Sequence, residues 1–338
     1  MRSYRVEDAP RVVGLLRAAF GDWPGPRVAA YDRPEQFFAW KHERNPHGGS
    51  FIVLAEAEGR LAGMRAYSPW PLRSGGREVA AVHAVDLATD PRFRGQGVSS
   101  RLAKHAMGIL RETKSFSLGM PNDMSTSQSR KVGWQPVGRL PLWVRLRRPL
   151  RVLHRARSLK SAGRALAVPS VEAPPAAECL ADAGAVAELM ADARTNGQRL
   201  ATDADADYLR WRYEPVLGDY RAVTEYEGGR LTGLAIFGLR RRGELWEGSL
   251  CELFVRPGDR HTARRLVRQI AGAAPLDYLA AVPPAGSGRT LTAAGFVRAP
   301  VGGRALGVTI YQDGAEPDPR RLDSWALSFG DLERLELC

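Results

Sequence analysis

The order of apolar and polar positions divides the first 140 residues into alternating elements. In PRVVGLLRAAF (10–20) apolar side chains recur at helical spacing, and Glu7 and Asp8 favour the positive end of the helix dipole. SFIVLAEA, LAGMRAYSPWPL and EVAAVHAVDLAT are runs that predict strands. VSSRLAKHAMGILRET (98–113) predicts an amphipathic helix, SFSLGM a further strand, and SQSRKVGW a short helix ending at Gly133. Strands followed by helices that cover a mixed, mainly antiparallel sheet make an α/β (α+β) domain.

The pattern then recurs. FFAWKHERNPHGGSFIVLAEAEGRLAGM (37–64) is echoed by YLRWRYEPVLGDYRAVTEYEGGRLTGL (208–234), with Trp40/Trp211, Glu58/Glu227, Arg60/Arg230, Leu61/Leu231 and Gly63/Gly233 in matching places. Each copy reads as an aromatic helix, a strand, a glycine-containing hairpin turn and a second strand. VDLATDPRFRGQGVSSRL (85–102) has a fainter echo in CELFVRPGDRHTARRLV (251–267), and KVGW (131–134) in AAGF (293–296). A period of this size predicts two tandem copies of one domain rather than a solenoid. The expected division is a first domain at 1–145, a connector at 146–178 and a second domain at 179–338. The C-terminal DSWALSFGDLERLELC is expected to be a packing helix. The tryptophans Trp40, Trp211 and Trp246 are expected in the core.

Composition excludes several classes without choosing among the rest. With 44% hydrophobic and 25% charged residues, the chain has the profile of a globular protein. Cys179, Cys251 and Cys338 are far apart and form no CxxC pair, which argues against a disulfide framework or a cysteine zinc site, and no metal is expected. MRSYRVEDAP has no apolar signal core, and no stretch approaches about 18 uninterrupted apolar residues. The expectation is a cytoplasmic protein without integral membrane association. The net charge of +12 is unevenly placed: residues 1–145 carry +9, residues 146–170 carry +7 with no acidic residue, and residues 171–338 carry −4. Such asymmetry suggests different ligands for the two halves.

The segment that carries chemistry is DLATDPRFRGQGVSSRL. A strand ends at Thr89, the loop holds Arg92-x-x-Gly95-x-Gly97, and a helix begins at once. Two glycines let the backbone approach a ligand without interference from a Cβ. The N–H groups of the loop and first helical turn lack intrahelical partners and form, with the helix dipole, a site for an anion such as a pyrophosphate. Arg92 and Arg94 can add charge-assisted contacts. Neither a GxGxxG fingerprint nor a GxxxxGK[ST] loop is present.

This segment resembles the acetyl-CoA signature R/Q-x-x-G-x-G/A of the GCN5-related N-acetyltransferases (GNAT). The resemblance covers most of residues 1–140, including the K-x-G-aromatic element at 131–134. It implies an acyl-CoA co-substrate whose pantetheine runs along Leu87, Ala88 and Thr89. The pyrophosphate would rest on Arg92, Arg94, Gly95, Gln96, Gly97, Val98 and Ser99. It also implies direct attack by an amine, with no acyl-enzyme. Asp86 occupies the strand position where the family often has a carboxylate base. Its other reading is a residue bonded to the loop or facing solvent. His83 falls on the opposite strand face from Asp86 unless a bulge intervenes, as is common in the family near this place, and reads either as a base or as a structural histidine. The family's usual acid is a tyrosine four residues before the glycine of the K-x-G-aromatic element. Ser129 stands there, a departure that leaves a hydrogen-bond donor to sulfur but a poorer proton source, or an ordinary surface serine. Asn122 is at the position that commonly holds a cofactor amide, and Ser125, Thr126 and Ser127 follow it.

The second copy aligns its phosphate loop with Arg260-His261-Thr262-Ala263, so the glycines are lost. This half is expected to be a degenerate GNAT-like domain with a structural or acceptor-site role, in which Glu252 and Asp259 are surface charges. The chain as a whole then reads as an acyltransferase moving an acetyl or other acyl group to a small-molecule amine. Two alternatives remain open. One is a tRNA-dependent aminoacyl transferase that uses the connector RLRRPLRVLHRARSLK, against which the intact CoA loop argues. The other is a catalytically inactive acyl-CoA-binding module. The sequence does not choose between monomer and dimer.

Overall fold

The computed structural model describes residues 1–21, 23–24, 34–120, 129–155, 170–194, 197–214, 220–283, 287–300 and 302–332. Its first copy opens with the short strand β1 (Arg2–Ser3) and the helices α1 (Ala9–Phe20) and α2 (Pro34–His42). The strands β2 (Phe51–Ala57), β3 (Arg60–Pro69), β4 (Leu72–Ser74), β5 (Arg77–Val79) and β6 (Ala81–Thr89) follow. Helix α3 (Val98–Leu110), β7 (Phe116–Gly119) and β8 (Gln135–Arg139) complete it, and residues 129–131 are helical. In α1 the periodic Val12, Val13, Leu15 and Leu16 are buried, as their spacing requires, and Pro10 stands at the helix start, where its missing N–H costs nothing.

The second copy repeats this order. Strand β9 (Trp143–Leu146), the helices Pro149–Arg155, Ala176–Cys179 and Ala183–Ala193, β10 (Ala201–Thr202) and the helix Ala206–Arg212 lead into β11 (Tyr220–Glu227), β12 (Arg230–Arg242) and β13 (Leu245–Val255). The helix Arg260–Ala273, β14 (Tyr278–Ala281), the helix Gly288–Ala293, β15 (Val297–Arg298) and β16 (Ala305–Ile310) close the chain. The mixed α/β architecture of two GNAT-like domains is as the sequence predicts.

The sheets do not respect the expected division at 145. The first runs β1-β2-β3-β6-β7-β16-β8 and the second β11-β12-β13-β14-β9-β15. Strand β16 of the second half lies antiparallel between β7 and β8, and β9 of the first half lies antiparallel between β14 and β15. Each half therefore lends one strand to the other's sheet. A boundary placed in the connector cuts both sheets, because a strand belongs to whichever neighbours satisfy its N–H and C=O groups rather than to its sequence neighbours. A small third sheet, β10-β4-β5, also joins the halves.

The repeated tryptophans meet at the centre. Trp40 and Trp211 stack with ring centroids 5.1 Å apart and planes 18° from parallel. Trp40 Nε1 donates to the Trp211 carbonyl at 2.9 Å, and Trp211 Nε1 donates to the Trp40 carbonyl at 3.0 Å. This exchange of identical bonds is the mark of a local twofold relation. One apolar cluster runs from Val12, Leu16 and Phe38 through both tryptophans to Leu234 and Ile236, so the halves share a core.

The C-terminal segment corrects its expectation. Among the described residues only Leu322–Ser324 is helical, a single 3-10 turn. Residues 325–332 follow as irregular chain with Trp325, Leu327, Phe329 and Leu332 buried. Its backbone bonds go to other elements, Ala326 N–H to the Leu200 carbonyl and Gly330 N–H to the Cys251 carbonyl, which replaces the intrahelical ladder. In the connector, Arg151 pairs with Asp277 at 3.2 Å and Arg155 with Glu244 at 3.1 Å.

Two outcomes follow. A chain ending after residue 147 lacks the strand between β7 and β8, and is expected to show neither a cooperative melting transition nor native near-ultraviolet dichroism. In the full chain, Trp211→Ala is expected to destabilise by about 3–5 kcal/mol in denaturant titration, the range for truncating a buried aromatic.

Candidate active site

Strand β6 is paired on one edge only along its second half. Its parallel pairing with β7 is confined to Ala81, Val82 and His83, whereas its antiparallel pairing with β3 continues to Thr89. Leu87, Ala88 and Thr89 pair with Arg65, Met64 and Gly63. Beyond His83 the two strands diverge and leave a wedge whose wall is an unpaired strand edge, able to bind an extended ligand through backbone groups.

A register shift between Arg65 and Tyr67 places Val85 and Asp86 opposite the single residue Ala66, a β-bulge. The bulge brings His83 and Asp86 onto one face of the sheet. That face is packed rather than open. His83 is buried with its ring edge-on to Trp70 at 5.2 Å. The Asp86 side chain is fully buried and receives Lys41 Nζ at 2.8 Å and His42 Nε2 at 2.8 Å, both from α2. His42 Nδ1 lies 3.0 Å from Ser50 Oγ.

The reading of Asp86 as a solvent-accessible general base is therefore corrected. Burial alone would raise the carboxyl, but the adjacent Lys41 charge and the His42 bond hold it well below the usual range, so it stays ionised. A carboxylate so satisfied is a poor base, and it has no open path to an amine. Burial lowers His42 in turn, which keeps its ring neutral. Lys41, His42 and Asp86 are a buried structural triad. The W-K-H run on an otherwise apolar helix was the signal for it.

The phosphate loop matches the reading of Gly95 and Gly97 and revises that of Arg92. Gly95 and Gly97 have φ of +76° and +72°, and a Cβ at either would meet nothing within 4 Å. Gly97 is the N-cap of α3 and offers no side-chain cap. The first-turn N–H groups of Val98 and Ser99 thus face a cradle that admits an anion. Arg92 is turned to Asp90, with Nη2 2.6 Å from Oδ2, and holds that carboxyl down at about 2. Arg94 Nη2 donates to the Ala19 carbonyl at 3.1 Å, and Gln96 Nε2 to the Arg92 carbonyl at 3.3 Å. The cradle is a backbone device, with the arginines at its rim.

Between the diverging strands and α3 lies a narrow cleft lined by Arg65, Ala84, Met107, Ser117, Ser129 and Thr309, with Trp134 beside them. Ser129 thus faces the wedge, on the same side as Ala103 and Met107 of α3. Trp134 lies flat on Gly307, where any Cβ would collide with the indole, and near Gly119. Thr309 and Gly307 belong to the exchanged strand β16, a contribution the sequence gave no reason to expect. Asn122, Ser125, Thr126 and Ser127 lie outside the described residues.

The second copy repeats the geometry and removes the chemistry. A register shift between Ile236 and Phe237 leaves Cys251 as the extra residue of a second bulge, next to Glu252. Glu252 is not the surface charge expected. It is buried, accepts from the Tyr213 hydroxyl at 2.8 Å and the Ser328 hydroxyl at 3.1 Å, and is pushed up to about 8 by burial and by Asp331. Tyr213 and Arg212 stand where His42 and Lys41 stand in the first copy. Asp259 is corrected as well: it is the N-cap of the helix Arg260–Ala273 and accepts from Thr262 N–H at 2.9 Å. A carboxylate therefore occupies the helix start that Gly97 leaves open in the first copy. In place of Thr309, Arg145 approaches within 3.4 Å of a Cβ position on Gly295, the counterpart of Gly133.

Comparisons with known proteins agree with this geometry. The family model described as "Acetyltransferase (GNAT) domain" matches residues 1–137. A probable N-acyltransferase of unknown function from Enterococcus faecalis V583 superposes with a TM-score of 0.62 at 12% identity, over 92% of this chain and 72% of that one. Eis1 from Mycobacterium abscessus gives 0.56 at 12% identity over 92% and 72%. Saccharomyces cerevisiae N-myristoyltransferase, solved with bound myristoyl-CoA, gives 0.56 at 13% identity over 96% and 83%. A search of curated protein sequences finds no match. The chain is a member of the GCN5-related N-acetyltransferase family, recognised by sequence in its first half, and its whole fold is that of tandem-domain relatives. Membership supports acyl transfer from an acyl-CoA. Among the described residues there is no group of side chains suited to a metal ion and no helix long and apolar enough to cross a membrane.

Two measurements check the buried carboxylates. Asp86→Asn leaves Lys41 without its counter-charge and is expected to cost about 3–5 kcal/mol of stability. Below its lowered melting temperature the variant keeps the wild-type pH–rate profile. Glu252 binds a proton in the folded state up to about pH 8, whereas an unfolded glutamate releases it near 4.5. Its contribution is full below that lower value and is lost as pH rises toward 8. Glu252→Gln is therefore expected to flatten the fall in melting temperature between those limits.

Proposed function

We propose that this protein is an acyl-CoA-dependent N-acyltransferase, most simply an N-acetyltransferase, acting on a small-molecule amine. The observation that carries the reading is the uncapped helix start at Gly97, set against the unpaired edge of β6. Together they offer an anion cradle and an extended strand edge in the order that a pyrophosphate and a pantetheine arm require. In this reading Gly95, Gln96, Gly97, Val98 and Ser99 hold the pyrophosphate, with Arg92 and Arg94 at the rim. Leu87, Ala88 and Thr89 line the arm, and N–H groups near Leu87 and Ala88 polarise the thioester carbonyl. The amine nitrogen attacks the carbonyl carbon directly, and the wedge fixes the approach of the two reactants.

The second half supports the site rather than duplicating it. Asp259 already satisfies the helix start, and Arg145 occupies the place of Thr309, so its counterpart cleft receives no CoA. Its contribution is β16, which closes the far wall of the first cleft.

A second reading, a binding module without turnover, is favoured by Ser129 where relatives carry tyrosine. One experiment separates the two. Acetyl-CoA is expected to bind in the micromolar range by isothermal titration. Binding is expected to be lost in Gly97→Trp, whose side chain fills the cradle and whose left-handed backbone costs roughly 1–2 kcal/mol. With a panel of amines, free-thiol release supports transfer. Binding without release for any amine supports the module, and absence of binding overturns both.

A further inference from the structure

We propose that Arg65 stabilises the departing thiolate of CoA, the task that Ser129 leaves open. The inference rests on the acyl-CoA reading above. Arg65 is on β3 beside the bulge of β6 and lines the same cleft as Ser129, Ser117 and Thr309. Its guanidinium lies 5.0 Å from the Tyr67 ring centre, a cation–π contact that holds the side chain toward the cleft. Its Nε is shielded from solvent and has no hydrogen-bond partner. No carboxylate among the described residues forms an ion pair with it. Every other cation in the core has one: Lys41 faces Asp86, and the Arg240 guanidinium faces Glu247. A half-buried guanidinium without a counter-charge is costly, and the cost is offset when an anion arrives.

The anion that arises in this cleft is sulfur. The amine lone pair forms the new C–N bond, the C–S bond breaks, and its electron pair leaves on sulfur as thiolate. The surplus proton on nitrogen passes to solvent or to that sulfur. Arg65 takes no part in proton transfer, since a guanidinium stays protonated throughout. It acts by charge on the group that becomes negative in the transition state, which is where a fixed dipole or charge lowers a barrier most. Tyr311, which follows β16, adds a neutral hydroxyl nearby. Burial and the neighbouring Tyr67 push it far up, so it stays protonated. The cation is far from the phosphate loop: Ala84 and Ser129 share its cleft, whereas the Gly97 cradle lies at the other end of β6.

The test titrates the thiol of CoA bound to the full-length protein by its thiolate ultraviolet absorbance. A free thiol titrates near 8.5. In the wild type the bound thiol is expected about one unit lower or more. In Arg65→Met it is expected at the free value, with the CoA dissociation constant unchanged and kcat reduced about 100-fold. Arg65→Lys is expected to restore part of the shift, and Arg65→Gln serves as the neutral variant should Arg65→Met not fold. An equal thiol titration in the wild type and a folded, CoA-binding neutral variant overturns the inference and leaves the acyl-CoA reading standing. Failure of the wild type to bind CoA overturns both.

Discussion

The stacked pair Trp40–Trp211, with its two reciprocal indole-to-carbonyl bonds, is the constraint on which the arrangement of the chain depends. It joins equivalent residues of the two copies and so fixes their relation as a local twofold. The residues that follow each tryptophan are then carried to equivalent places. Lys41 and His42 reach the carboxylate of Asp86 at the bulge of β6, and Tyr213 reaches that of Glu252 at the bulge of β13. One contact thus sets two buried polar clusters and the strand distortions beside them.

The clusters have opposite electrostatic characters. Asp86 is matched by a lysine and remains charged, while Glu252 has a second carboxylate, Asp331, for a neighbour and is held protonated. Arg212 is as deeply buried as Lys41, but Nε and Nη2 donate to the Gly330 carbonyl. Gly330 lies so close to Glu252 and Tyr213 that a Cβ would collide with both. The C-terminal segment is thereby drawn into the polar core of the second copy, which is why it is not a surface helix.

Exchange of β9 and β16 makes the site a product of both copies. The cleft beside Ser129 takes Gly307 and Thr309 from β16, and Trp134 can lie flat on the sheet only because residue 307 is glycine. The copies then diverge at two points that decide binding. An uncapped glycine becomes a capping aspartate at the helix start, and a threonine becomes an arginine in the cleft. Fold symmetry is kept, and anion affinity is expected on one side only.

Much of the protein was legible in its sequence. Helical and alternating spacing gave α1, β2, β3, β6 and α3 closely, because burial of one face writes a period into the chain. The glycines of the phosphate loop were legible for a similar reason, since a left-handed backbone restricts residue type. The repeat revealed the tandem copies and marked Trp40 and Trp211, but not that they touch. What the sequence left open were matters of partnership. Asp86 in a strand reads alike whether it meets solvent or Lys41, and Glu252 reads as a surface charge until Tyr213 and Asp331 close over it. Arg65 is one arginine among 44 until its surroundings show no carboxylate facing it. The sequence by itself determined the elements, their repetition and the anion cradle, all encoded in residues close along the chain. The strand exchange, the ionisation of the buried carboxylates and the lining of the cleft were decided only in three dimensions, because each depends on groups separated by tens to hundreds of residues.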